Sequence, residues 1–128
     1  MVVLLRRGRK PLRFRGRLAC RDRFVDPAIG ECEIALWMRQ DRRMAVSVRR
    51  GRPEDPEADA VVVPDIDAAF GWIEALCTDT GRTDPPPEGA SPDEVLAFLE
   101  HRLEERTWRD RLGLMAEEVL ARWQRSVT

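Results

Sequence analysis

The stretch Ala60–Cys77, AVVVPDIDAAFGWIEALC, switches from one backbone period to another within a few residues, and the rest of the chain is organised around that switch. Val61, Val62 and Val63 form the purest β-branched run in the chain, and such side chains suit a pleated surface better than a helical turn. Pro64 cannot donate to a ladder and presets a turn. Asp65 then reads as an N-cap, with Asp67 adding negative charge to the first helical turn. Ile66, Ala69, Phe70, Ile73, Leu76 and Cys77 recur at helical spacing and give one apolar stripe. A buried strand passing straight into an amphipathic helix requires a sheet with helices against it.

The rest of the sheet is read from period-two alternation. In Glu31–Arg39, Cys32, Ile34, Leu36 and Met38 point inward, while Glu31, Glu33, Ala35, Trp37 and Arg39 point outward. Gln40-Asp41-Arg42 makes a short turn, and Met44, Val46 and Val48 continue inward. A hairpin centred on Asp41 sets Glu33 opposite Arg49 and Leu36 opposite Val46. A slip by one residue would send every apolar side chain to the wrong face.

Upstream, Leu12, Phe14, Gly16, Leu18 and Cys20 alternate with Arg13, Arg15, Arg17 and Arg21, which predicts one half-buried strand with an arginine stripe on its wet face. Gly16 at an inward position predicts close approach of another element, or a bulge. Asp22–Gly30 reads as a connection. Centring it on Asp26 places Arg15 across from Trp37, as a cation–π pair, and Arg21 across from Glu31. Arg50–Asp59, with two prolines and no apolar pattern, reads as a surface loop.

Beyond the first helix, Gly81 is placed to cap it in the left-handed conformation, and Arg82–Ala90 is a Pro-rich spacer. Ser91-Pro92-Asp93-Glu94 is a capping box with proline at the first helical position. Val95, Leu96, Leu99 and Leu103 form one apolar stripe. Trp108, Leu112, Met115, Val119 and Trp123 form a second, and the two are out of phase. A kink between Glu105 and Gly113 accounts for the slip. A single long helix, supported by Glu105–Arg109 and Glu118–Arg122 pairs, is the alternative.

The fold expected is α+β: a three- to four-stranded, mainly antiparallel sheet followed by two or three helices packed on one face. At 128 residues the chain fits one domain with a self-sufficient core. No apolar run reaches the roughly 20 residues that span a bilayer, and Met1–Leu5 is too short for a signal-peptide core. An intracellular, cytoplasmic protein without membrane association is expected. Cys20, Cys32 and Cys77 are odd in number and sit at apolar phases, so reduced thiols are expected. With no Cys-x-x-Cys and a single histidine, His101, neither a metal nor another cofactor is expected.

The net charge of −1 hides an asymmetry. Residues 1–52 carry fifteen basic and five acidic side chains, and residues 53–128 carry seven and eighteen. Phosphate-cradling glycine loops and nucleophile elbows are missing. A Cys77–His101 thiol pair would need a nucleophile that is instead predicted to face the core. Asp65 and Asp67 read as helix-start residues rather than an acid–base pair.

What remains is a surface. Arg13, Arg15, Arg17, Arg43 and Arg49, with Trp37 among them, form a basic sheet face. Trp72 falls off the main stripe of its helix. Both tryptophans are either covered by the C-terminal helices or exposed as anchors for a partner. The sequence therefore predicts a small interaction or regulatory module without catalytic activity. Its partner is another protein or, as a homodimer, a second copy. Nucleic-acid binding through the arginine face is the alternative, weakened by Glu31 and Glu33 on the same face.

Overall fold

Glu33 pairs with Arg49 and Leu36 with Val46, as the alternation requires, and the rest of the sheet is built outward from this hairpin. The computed structural model describes residues 1–27, 29–52, 55–78 and 85–127. Six strands are followed by two helices: β1 (Val2–Arg6), β2 (Arg9–Phe14), β3 (Gly16–Asp26), β4 (Gly30–Arg39), β5 (Met44–Arg52), β6 (Asp55–Val63), α1 (Ile66–Thr78) and α2 (Pro92–Val127). β3-β4-β5-β6 form an antiparallel meander, and β1-β2 form a separate two-stranded ribbon. The fold is α+β, with one sheet more than expected.

Neighbouring positions on one strand point to opposite faces, so the two buried clusters lie on opposite sides of the meander. Cys32, Ile34, Leu36, Met44, Val46, Val48 and Val63 join Ala69 and Ile73 of α1 and Leu112, Met115 and Val119 of α2. The alternate positions Ala45 and Ala60, with Trp37 beside them, join Leu4 and Phe14 of the ribbon. Helices cover one face and the ribbon covers part of the other.

Several expectations are corrected. The strand expected over Leu12–Cys20 divides at Arg15, because the chain crosses there from ribbon to meander. A register shift between Leu18 and Cys20 then reverses the phase of the residues beyond it. Asp22–Gly30 is mostly strand, since β3 runs to Asp26 and the reversal closes at Asp26↔Gly30. Arg15 is therefore not across from Trp37, which pairs with Leu18, and Arg21 faces Ala35 rather than Glu31. Arg50–Asp59 is not a surface loop: β5 extends to Arg52 and β6 starts at Asp55. Because β6 is an edge strand, Pro56 is tolerated there without breaking an interior ladder.

Both helix starts carry the N-cap expected of them, the second through the Ser91 half of its capping box. Asp65 Oδ1 accepts from the Ala68 amide at 2.8 Å, and Ser91 Oγ accepts from the Glu94 amide at 3.2 Å. β6 stops at Val63, one residue before Pro64. Gly81 and Arg82–Asp84 of the Pro-rich spacer lie outside the described residues. α2 is one unbroken helix of 36 residues, about 54 Å long at 1.5 Å per residue, so the kink between Glu105 and Gly113 is absent. Among the described residues no helix is long and apolar enough to cross a membrane.

Gly16 is the site of close approach that its position implied. A Cβ there would lie 2.3 Å from the Met38 carbonyl oxygen and 3.1 Å from Arg39 Cα, both backbone atoms of β4. Gly16→Ala should therefore destabilise the fold by about 1–3 kcal/mol, the range for forced overpacking. Urea denaturation followed by circular dichroism measures this, and an unchanged midpoint would show that the β3–β4 approach yields freely.

Candidate interaction surface

The residues singled out from the sequence do not form one stripe. Arg13, Arg15, Arg17, Arg43 and Arg49 are exposed. Arg13 stands on the ribbon opposite Val3. Arg15 occupies the crossing between β2 and β3, where its carbonyl accepts from the Gln40 amide at 3.0 Å. Arg17 pairs with Met38 while its neighbour Leu18 pairs with Trp37, so Arg17 belongs to the helix-side phase. Arg43 follows the hairpin turn, its amide donating to Asp41 Oδ1 at 3.0 Å. Arg49 meets Glu31 at 3.2 Å, and next to it Arg23 meets Glu33 at 3.0 Å. Charges of both signs therefore alternate on the part of the sheet face that carries Arg49.

Trp37 is half-buried beneath the ribbon rather than beneath the helices. Its Nε1 donates to Ser47 Oγ at 3.1 Å, and the Phe14 ring meets it edge-on at 6.5 Å and 76°. The cation–π partner in this region is Arg39 over Phe14, at 5.7 Å, not Arg15 over Trp37. Trp72 is half-buried against the main core.

Three arginine sites fasten α2 to the sheet, and the sequence reading did not identify them. Arg50 of β5 reaches Glu105 at 2.7 Å and Glu57 at 2.9 Å, with its guanidinium 5.2 Å from the Trp108 ring centroid. Burial pulls the Arg50 pKa down, but hydrogen bonds and charge from Glu105 and then Glu57 outweigh it and leave the guanidinium raised. Arg111 of α2 meets the buried Asp26 at 3.3 Å and sits 4.0 Å from the Phe24 ring centroid. Arg122 meets Asp22 and Glu118, each within 3.3 Å, and donates to the Arg21 carbonyl. The i,i+4 pair Glu118–Arg122 is as expected. Glu105–Arg109 is not, because the Glu105 carboxylate turns to Arg50 and Arg109 donates instead to the Glu105 carbonyl.

These fastenings decide which side of α2 faces the core. Leu103 and Leu112 are nine residues apart, two and a half turns at 3.6 residues per turn, so they lie on opposite sides of a straight helix. Leu112, Met115 and Val119 are at most 2% exposed. Val95, Leu96, Leu99 and Leu103 are 38%, 56%, 48% and 63% exposed. Leu114, eleven residues and about three turns beyond Leu103, continues the open side at 57%. The phase slip in the sequence was the signal for this surface. A kink would have hidden it, and a straight helix displays it.

Between this side of α2 and the end of α1 lies a groove of about 630 Å³, lined by Cys77, Leu99, Arg102, Leu103, Arg106, Arg109 and Asp110. Its lining sets the apolar Cys77, Leu99 and Leu103 beside three arginines and one carboxylate, Asp110. Burial, and then the charge of Glu74, pushes the Cys77 thiol above its ordinary 9.0, so the sulfur stays protonated at neutral pH. His101 is exposed and does not line the groove. Among the described residues no group of three His, Cys, Asp or Glu side chains is placed to hold a metal ion. Comparison of the chain with protein-family models, with curated proteins and with solved structures finds no match in any of the three.

The Arg50 site separates burial from mere pairing. Glu105 is 17% exposed and Glu57 is 52% exposed, although both touch the same guanidinium. Glu105→Gln should cost about 1–2 kcal/mol, a buried-pair penalty discounted for partial exposure, and Glu57→Gln less than about 0.5 kcal/mol. Equal losses in chemical denaturation would mean that burial does not set the strength of these pairs.

Proposed function

We propose that the protein is a small interaction module, working without catalytic chemistry, that engages a protein partner through the first half of α2. One observation carries this reading: Val95, Leu96, Leu99 and Leu103 are open on one side of a helix whose second half is anchored by its opposite side. Leu96, Leu99 and Leu103 stand at i, i+3 and i+7, a spacing used in helix-mediated recognition, and Val95 extends the same side. A contiguous apolar stripe edged by charge marks an interaction surface more often than scattered apolar residues do. Arg102, Arg106 and Arg109 beside Leu99 and Leu103 supply the charged edge.

Nucleic-acid binding is the second reading, and it now rests on fewer groups. Arg13, Arg15 and Arg17 are exposed and have no carboxylate partner among the described residues, which favours an anion-binding role. Arg49 is engaged by Glu31, and Trp37 is stacked edge-on under the ribbon, which removes two members of the surface read from the sequence.

Two measurements separate the readings. A photo-crosslinking residue at Leu96, and in a second preparation at Arg13, is exposed to native cell extract. Protein adducts should form predominantly from position 96, and adducts from position 13 alone would overturn the interaction reading through α2. Titration of labelled single- and double-stranded oligonucleotides should give no salt-dependent anisotropy change. Binding whose affinity falls linearly on a log–log salt plot, and is lost in an Arg13, Arg15 and Arg17 to Gln variant, would establish the second reading instead.

A further inference from the structure

We propose that the groove between the end of α1 and α2 receives an acidic segment of a partner protein, one that carries aliphatic side chains beside its carboxylates. The inference rests on the reading of α2 as the interaction element and adds the chemistry of what that element binds.

The two flanks of the open stripe differ in charge. In a straight α2, Arg102, Arg106 and Arg109 fall within about 60° of one another on one flank. Asp93, Glu100 and Glu104 fall within about 40° of one another on the other flank, and Leu96, Leu99 and Leu103 lie between the two. The groove is on the arginine side. All three arginines line it, none of those three carboxylates does, and Asp110 is the one acidic group in the lining.

These arginines stay unpaired in a region rich in carboxylates. Residues 53–128 carry eighteen acidic side chains and only seven basic ones. Of the seven, Arg111, Arg122 and Arg125 are held in ion pairs. Arg102, Arg106 and Arg109 meet no carboxylate among the described residues, although Asp110 stands one turn beyond Arg106. The hydrogen bond that Arg109 makes goes to the Glu105 carbonyl. A guanidinium group pairs best with a planar carboxylate, which it can grip through two parallel bonds. An acidic occupant supplies what the chain itself withholds, and a basic one would set like charges together, which interfaces disfavour strongly.

The form of the groove selects a polypeptide over a small ligand. Sites for small molecules enclose most of the ligand surface, whereas Leu99 and Leu103 are 48% and 63% exposed. A segment of another protein covers so open a wall with one side and rests on its own fold with the other. Leu99 and Leu103, one turn apart, take its aliphatic side chains. The guanidinium groups, spread over about 10 Å of helix from Arg102 to Arg109, take its carboxylates.

Selection of a random peptide library, displayed on phage, against the full chain tests this. Enriched peptides should combine net negative charge with aliphatic residues. One such peptide, synthesised and titrated by fluorescence anisotropy, should lose about tenfold or more in affinity for an Arg102→Glu, Arg106→Glu chain, and likewise for Leu99→Gln. Both variants should keep the wild-type far-UV circular dichroism and thermal midpoint, because these side chains stand outside the core. Replacing the peptide's carboxylates by lysine should restore binding to the Arg102→Glu, Arg106→Glu chain. The bound peptide should also slow alkylation of Cys77 but not of Cys20, read by mass spectrometry, because Cys77 lines the groove and Cys20 does not.

Enrichment of neutral or basic peptides, an affinity unchanged by Arg102→Glu, Arg106→Glu, or a library from which nothing enriches would overturn the proposal. So would decanoate, an aliphatic carboxylate, binding more tightly than any enriched peptide, since the occupant would then be a small molecule. A wild-type dimer dissociated by Arg102→Glu, Arg106→Glu would overturn it too, in favour of a second copy. If neutral or basic peptides bind and are lost with Leu99→Gln, the acidic partner alone falls and α2 remains the interaction element. Acidic peptides indifferent to Leu99→Gln but lost when Arg13, Arg15 and Arg17 become Gln would remove both readings.

Discussion

Ile34, Ala35 and Leu36 are consecutive residues of one strand, and all three are fully removed from solvent. Neighbours on a strand point to opposite faces, so this burial requires that both sides of β4 be covered. The helices supply one cover. On the other side the ribbon, through Leu4 and Phe14, closes over Ala45 and Ala60 next to Trp37. The alanines fit this arrangement, since small side chains in the middle of the second face let the ribbon approach closely. Gly16, set against the β4 backbone just after the crossing from ribbon to meander, removes the Cβ that would otherwise hold the chain away there.

α2 obeys a second constraint. A helix advances 100° per residue, so once Leu112, Met115 and Val119 are committed to the sheet, the directions of all other side chains in a straight helix are settled. Asp26, Asp22 and Arg50 engage α2 at Arg111, Arg122 and Glu105 and hold that direction. Two of these three contacts run against the charge asymmetry of the chain, with a helix arginine meeting a sheet aspartate. Buried or half-buried ion pairs add modest net stability but tolerate few alternative arrangements, and here they set the rotation of α2 about its axis. The open leucine stripe is a consequence of that rotation.

Much of the architecture was legible in local pattern. The β4–β5 register followed from strict alternation around Asp41, where any slip exposes the core. Asp65 and Ser91 cap their helices because a short polar side chain before an apolar period has few other uses. Less legible were the segments in which charge or proline masks a strand. Arg50–Asp59 carries no apolar alternation, since one arm lies at the end of β5 and the other on an edge strand, and neither needs buried side chains to pair. Arg15 gives no local sign that the chain changes sheets there. The open side of α2 was present in the sequence as a phase slip, but a slip alone does not distinguish a bent helix from a straight one with two faces.

By itself, then, the sequence determined the elements whose stability is local: the central hairpin, the strand-to-helix switch at Pro64, the capped helix starts and the α+β class. Those features depend on side-chain period and on hydrogen bonds within a few residues. Only the tertiary structure decided that the arginine-bearing ribbon covers the second face, that Trp37 lies beneath it, and that Val95, Leu96, Leu99 and Leu103 of α2 stay open while Leu112 is buried. Each of these depends on contacts between residues tens of positions apart, and periodicity within one segment carries no information about which distant segment will cover it.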